Sequence, residues 1–162
     1  MLCDSLKAGA ATMNITPQKS HFLHGYPFVE RMSRGTHDPL SSSALYLTDG
    51  NEELLFISND IIYVDKNIVY RIRQAIFKEK GIPPSHIMIA ATHTHSVPVT
   101  VECLISESDP VVPKVDLDYL KQMEAQTVKA PAGPVREGLP RHLFYRSGRR
   151  PEPASCHPGK YV

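Results

Sequence analysis

With 41% apolar residues, 22% charged residues and a formal net charge of +1, the 162-residue sequence has the composition of a single compact domain. It lacks both the low hydrophobicity of disordered chains and the strong positive charge of nucleic-acid-binding proteins. Its longest apolar runs fall far short of the roughly 20 residues that a membrane helix needs. The sequence therefore predicts no transmembrane span and no nucleic-acid partner. Since no signal-peptide pattern opens it, it also predicts a cytoplasmic location.

Cysteine and histidine usage narrows the possible chemistry. Cys3, Cys103 and Cys156 are scattered and odd in number, and no Cys-x-x-Cys spacing occurs. This pattern favours free thiols over a disulfide framework or a thiolate zinc site. Eight histidines stand against no tryptophan. Histidine is the commonest metal ligand and carries protons near neutral pH, so the positions of the histidines matter.

The first predicted elements form a hairpin. Apolar runs at 44–47 and 54–58 flank a turn that contains Asp49-Gly50. An Asp-Gly pair between two such runs is a strong hairpin signal. The sequence therefore predicts two antiparallel strands here.

A helix and a further strand follow the hairpin. Apolar residues recur at helical spacing from 68 to 77, Asp65 stands at the N-cap position, and Gly81 marks the end. The apolar run at 87–91 then reads as a buried strand. Strand, helix and strand make a βαβ unit, so the predicted fold class is α/β, with a mixed sheet built from a hairpin and a βαβ unit. Residues 59–60 and 92–96 should emerge at one edge of this sheet, where open α/β sheets bind ligands.

The remaining chain divides into a helix and a tail. A helical pattern covers about 116–129, although its packing partner is not evident from the sequence. Six of the fourteen prolines lie between Pro131 and Pro158, and this proline-rich composition disfavours regular structure. We therefore predict a folded domain over 1–128 and a disordered tail over 129–162.

The sharpest local feature is the run THTHS at 92–96, directly after the predicted buried strand. Alternation along an extended chain would place His93 and His95 on one face. Two converging imidazoles can share a metal, or one can bind metal while the other transfers protons and stabilises an oxyanion. Alternatively, one is a hydrogen-bonded core histidine and the other is exposed.

Two further positions carry candidate polar groups. His37 and Asp38 are bracketed by Gly35 and Pro39, which indicates a turn. His37 is therefore either a pocket residue or an ordinary surface residue. Asp60 ends the second strand of the hairpin, where its carboxylate could orient a histidine or cap the next segment.

Several motifs in order give the sequence a family resemblance. They are AGAATMNITP at 8–17, HGY at 24–26, GTHDPL at 35–40, SND at 58–60 and ATHTHS at 91–96. This succession resembles the N-terminal domain of the neutral/alkaline, non-lysosomal ceramidases and their bacterial relatives. The resemblance covers roughly residues 7–100.

The resemblance implies a zinc-dependent amidase that hydrolyses the N-acyl bond of ceramide, a lipid substrate, to sphingosine and a fatty acid. By resemblance, His93 is a zinc ligand, and His95 lies beside the scissile amide as the residue for proton transfer or oxyanion stabilisation. His37 lines the same pocket, and Asp60 joins it as a pocket residue. Zinc would lower the pKa of its bound water, so that hydroxide is available near neutral pH.

The resemblance also implies that residues 1–128 are a partial domain with an incomplete site. The family's other zinc ligands, a later histidine, a glutamate and a tyrosine, come from segments beyond these 162 residues. Because zinc sites use three or four protein ligands, the chain alone is not expected to bind Zn²⁺ tightly. A truncated or frame-shifted member is one interpretation, and a natural disordered tail is the other.

The functional alternatives are a non-catalytic fragment or binding module of the same fold, and a related hydrolase with a different amide or ester substrate. A partial sheet would also expose apolar surface, so we expect the chain to self-associate through that surface.

Overall fold

The computed structural model describes residues 6–102 and 108–131, which form one mixed sheet with two helices. The strands are β1 (Lys7–Asn14), β2 (Ser41–Thr48), β3 (Glu53–Asn59) and β4 (Ile87–Ala91). The helices are α1 (Lys66–Lys80) and α2 (Leu117–Lys129), and a short 3-10 turn spans Pro84–His86.

The sheet has the order β1-β2-β3-β4. Its first three strands are antiparallel, and β4 pairs with β3 in parallel. In the hairpin turn, the Asp49 carboxylate accepts hydrogen bonds from the backbone amides of Asn51 and Glu52, at 2.9 and 2.8 Å. The predicted hairpin, βαβ unit and mixed α/β sheet are thus confirmed. Strand β1 was not predicted, because its Ala- and Gly-rich sequence has low β-propensity.

Helix α1 connects β3 to β4 and is capped at both ends as the sequence predicts. The Asp65 carboxylate accepts a hydrogen bond from the amide of Ile68 at 2.7 Å. Gly81 takes a left-handed conformation with φ of 79°, and its amide donates to the carbonyl of Phe77. The helix buries Ile68, Ile72 and Ile76 against one face of the sheet.

Helix α2 packs beside α1 and against β1 and β2, which identifies the packing partners that the sequence left open. Arg71 on α1 forms a salt bridge with the Glu124 carboxylate on α2, and the shortest N···O distance is 2.6 Å. Deeper in, the Thr127 hydroxyl donates to the Asn59 side chain at 3.3 Å, and both residues are fully buried. The end of β3 is therefore attached to α2 by a buried polar contact.

The carboxyl ends of β3 and β4 meet at one edge, as predicted. The Thr92 amide donates to the Asn59 carbonyl at 2.9 Å, and the His93 amide donates to the Ile61 carbonyl at 3.0 Å. The ladder therefore continues past the strands into the segments that carry the candidate residues. No helix in the described part of the chain is long and apolar enough to cross a membrane. The proposed tail lies outside the described residues from position 132 onward.

Substituting Asp65 by alanine should lower the free energy of unfolding by about 1 kcal/mol, because the Ile68 amide loses its cap. Urea denaturation measures the change. Asp65→Asn is the matched control, since asparagine caps helices about as well as aspartate. An equal loss in both variants would contradict the assigned cap.

Candidate functional site

The backbone of His93 adopts a left-handed conformation with φ of 64°. An extended chain through 92–96 was therefore a wrong expectation. The reason lies in the hydrogen bonds of His93, whose amide reaches back to the carbonyl of Ile61. Its ring Nδ1 lies 2.9 Å from the carbonyl oxygen of Ile62. Since a carbonyl only accepts, Nδ1 carries the proton and the lone pair is on Nε2.

The turn at His93 brings the two histidine rings together by a route other than strand alternation. Nε2 of His95 lies 3.3 Å from Nε2 of His93, and the ring centroids are 5.0 Å apart at 75°. Because the His93 Nε2 is an acceptor, the His95 Nε2 is the donor when both rings are neutral. The pair thus places one proton between two imidazole nitrogens.

Aromatic rings border the histidine pair on both sides. Tyr63 meets the His93 ring edge-on at 5.1 Å, and Tyr26 meets the His95 ring at 5.6 Å. The guanidinium of Arg31 lies 3.9 Å from the centre of the Tyr26 ring, a cation–π contact. No sequence motif indicated a role for Tyr63 or Arg31, and only the HGY motif pointed to Tyr26.

Gly25 allows the close approach of His95. Its φ is 117°, and a Cβ at this position would lie 2.5 Å from Cγ of His95. Only glycine leaves room for the imidazole here. Next to it, His24 is buried, and its amide donates to the Val97 carbonyl at 2.9 Å. Burial lowers the pKa of His24, and the nearby His95 lowers it further.

Two carboxylates hold the segment that carries Gly25 and Tyr26. Asp109 is buried and accepts hydrogen bonds from the amides of Phe28 at 2.6 Å and Val111 at 3.0 Å. Phe28 itself has a positive φ of 59°. Earlier in the segment, Nδ1 of His21 pairs with Asp116, the N-cap of α2, at 2.8 Å. The segment is therefore tied to the second half of the chain.

A cleft of about 780 Å³ lies next to the histidine pair. Its lining has polar and apolar surface in similar amounts, and its polar residues include His37, Asp60, Thr94 and Ser96. His93 and His95 are not among the lining residues, so the four candidate residues do not line one common cavity. They divide into a histidine pair and a cleft pair that meet along the segment 93–96.

The two cleft candidates differ in how firmly they are held. The His37 side chain is 97% exposed, and its Nδ1 contacts the Asp38 carboxylate at 2.8 Å. Asp60, in contrast, accepts hydrogen bonds from the Ser41 amide at 2.9 Å and the Thr92 hydroxyl at 3.1 Å. Its carboxylate thus joins β2 to the segment after β4, and a role in binding substrate stays a prediction.

Tyr119 lies behind the cleft on α2. It is buried, and its ring tilts against His21 with centroids 5.9 Å apart. Burial raises the pKa of its phenol, and the carboxylates of Asp60 and Asp116 raise it further. Tyr119 therefore stays protonated across the physiological range.

The histidine pair fits part of a zinc site. Zinc would take the lone pair on Nε2 of His93, which in this structure accepts the hydrogen bond from His95, and the Nδ1–H of His93 is fixed by a carbonyl, as is usual for metal-binding histidines. However, catalytic zinc sites use three protein ligands. Within residues 6–102 and 108–131, no three His, Cys, Asp or Glu side chains are grouped to hold a metal ion. These residues alone therefore do not make a zinc site.

Comparison with known proteins finds similarity at the level of the fold. No protein-family model matches the sequence. Two solved structures match the fold with a TM-score of 0.67 over 77% of this chain, at 18% sequence identity. One is neutral ceramidase from Pseudomonas aeruginosa, and the other is a ceramidase complexed with C2. The chain is similar in fold to a neutral ceramidase.

The similarity to neutral ceramidase covers only part of that protein and is limited to the fold. The chain spans 20% of the length of each matched ceramidase. At 18% identity the likeness establishes the fold. The fold that the sequence motifs imply is therefore confirmed, whereas the roles of the individual histidines stay predictions.

Gly25→Ala should displace the His95 ring, because the new methyl group would overlap Cγ of His95. Gly35→Ala is the matched control: its φ of 143° is also positive, but its Cβ would meet no atom within 4 Å. Both variants should lose about 1–3 kcal/mol of stability from backbone strain. NMR of ¹⁵N-labelled imidazoles should show shifted His95 signals in Gly25→Ala alone. Unchanged His95 signals there would contradict the assigned packing.

Proposed function

We propose that the chain supplies the His93–His95 pair to a hydrolytic site of the neutral ceramidase type, which cleaves the N-acyl bond of ceramide to sphingosine and a fatty acid. The observation that supports it most is the 3.3 Å approach of the two Nε2 atoms, with the His93 tautomer fixed by the Ile62 carbonyl. This pair lies at the carboxyl ends of parallel strands in a ceramidase-like fold.

The two histidines have different roles in this proposal. His93 is the zinc ligand through Nε2, because its Nδ1 is already committed to the Ile62 carbonyl. His95 holds a proton on Nε2 and can deliver it to the amine that leaves. When bound, Zn²⁺ would polarise the amide carbonyl and lower the pKa of its water. The remaining zinc ligands come from outside the described residues.

The cleft is the proposed site for the polar part of the lipid. Its lining carries hydroxyl groups from Ser20, Ser33 and Thr94 together with His37 and Asp60. Such groups match the hydroxyl and amide groups at the polar end of a ceramide better than its hydrocarbon chains. The same polar groups also suit other amides or esters, so a related hydrolase with another substrate is the second candidate.

A non-catalytic fragment or binding module is the third candidate. It stays a candidate because the described residues supply an incomplete set of zinc ligands. A cytoplasmic location likewise stays a prediction.

Zinc titration followed by ¹⁵N NMR of the imidazoles tests the role of His93 without requiring turnover. The signal of its Nε2 should shift on addition of excess Zn²⁺, and His93→Ala should remove the weak zinc binding that an incomplete ligand set allows. His86→Ala is the control, because His86 lies at the opposite end of β4. Equal zinc affinity in both variants would refute the assignment.

Hydrolysis of a fluorescent short-chain ceramide, with and without added zinc, separates the candidates. If the 162-residue chain turns over, His95→Ala should retain zinc and lose about 10²- to 10⁴-fold in rate, the usual contribution of a general acid. Turnover of a different amide or ester alone would favour the related hydrolase. Zinc binding without turnover of any amide or ester would favour the fragment.

A further inference from the structure

One face of the sheet is not covered by any helix in the described part of the chain. Helices α1 and α2 pack on the side that carries Leu55 and Ile57. The strand registers place thirteen residues on the other side, which we call the open face. They are Ala8, Ala10, Thr12, Asn14, Ser41, Ser43, Leu45, Leu47, Leu54, Phe56, Ser58, Met88 and Ala90.

The open face contains no charged residue. Three of its larger side chains are well exposed, Leu54 at 47%, Phe56 at 38% and Met88 at 57%, and Leu45 and Leu47 are partly exposed. Along the strands of an antiparallel sheet, polar residues on the solvent face ordinarily alternate with apolar residues on the buried face. Charged side chains on a sheet also oppose its association with other chains. A contiguous uncharged face with exposed aliphatic and aromatic groups marks an interaction surface.

Large and small residues are separated along the strands of the open face. Leu47 and Leu54 are paired neighbours at one end, whereas Ser43 and Ser58 are paired neighbours at the other. A shallow depression of about 400 Å³ lies at the small end, lined in part by Ser43, Ser58 and Ala90. The face therefore has a raised end and a hollow end.

We propose that the open face packs against the same face of a second copy, related by a two-fold axis that crosses the strands. This operation inverts the strand direction, so the Leu47–Leu54 end of each copy enters the Ser43–Ser58 depression of the other. The middle row, in which Leu45 pairs with Phe56 and Phe56 with Met88, lies along the axis. Each residue of that row faces its own equivalent in the partner.

Charge and size both favour a second copy as the occupant. In an isologous contact, each residue near the two-fold axis lies opposite the same residue of the partner. A charged residue there would therefore face a like charge, and the repulsion would oppose dimerisation. The open face has none, so self-association meets no repulsion there. The raised and hollow ends are also complementary under this two-fold, as close packing at an interface requires.

The available area indicates the strength of the contact. Four strands about 4.8 Å apart, with about seven residues of 3.3 Å each, span a footprint of about 19 by 23 Å. This footprint corresponds to a flat area of about 440 Å² per copy. Projecting side chains make the buried surface larger than the flat footprint. The interface is therefore near the low end of specific interfaces, at about 600 Å² per partner. We therefore expect a reversible dimer that dissociates in the micromolar range.

Sedimentation velocity of the full chain across the micromolar range tests the proposal. Wild type should show a concentration-dependent monomer–dimer equilibrium, and Phe56→Glu should raise the dissociation constant by about 30-fold or more, as expected of a central anchor. Phe77→Glu is the matched control, because Phe77 is a 48% exposed phenylalanine on α1. It should leave the dissociation constant unchanged. Circular dichroism checks that both variants are folded.

Cysteine cross-linking provides a second measurement if Phe56→Glu fails to fold. In a background with Cys3, Cys103 and Cys156 replaced by serine, a short bismaleimide should cross-link Phe56→Cys into a dimer, because facing sheets lie about 10 Å apart, and Phe77→Cys should stay uncross-linked. A monomer at every concentration would overturn the proposal, since the face would then belong to another partner. A dimer equally sensitive to both glutamate variants, or open-ended oligomers growing from strand edges, would also overturn it.

Discussion

The parallel pairing of β3 with β4 is the constraint on which the site depends. It brings the segments after both strands to one edge, and it continues beyond the strands through the amides of Thr92 and His93. The left-handed turn at His93 follows, because the amide and the ring of this residue bond to the consecutive carbonyls of Ile61 and Ile62. The meeting of the two imidazoles is thus a consequence of strand pairing.

Much of the fold could be predicted from local sequence signals. Asp49-Gly50, Asp65 and Gly81 each have one dominant physical role, in a turn or at a helix end, and the structure places each in that role. Strand β1 lacked such a signal, because its small residues do not reveal that they pair with β2 at the edge of a sheet.

The site was harder to predict than the fold. The spacing of His93 and His95 indicated that they meet, but extended alternation was the wrong reason, because hydrogen bonds to distant carbonyls determine the backbone of His93. Similarly, no local sequence pattern predicts that Tyr63 packs on His93 or that Arg31 lies over the ring of Tyr26. These contacts join segments that are about thirty residues apart or held in irregular loops, and such contacts are decided by tertiary packing.

Helix α2 shows how a distant element supports the histidine pair. Its N-cap, Asp116, holds His21, and the Gln122 side chain donates to the carbonyl of Thr16 at 3.2 Å. Both contacts fix the start of the segment that carries Gly25 and Tyr26, against which His95 rests. At its other end α2 is bonded to Asn59, the last residue of β3. Helix α2 therefore supports both the segment that carries Gly25 and Tyr26 and the end of β3. This explains why the helix, which begins about twenty residues after the last motif, is part of the same structural unit.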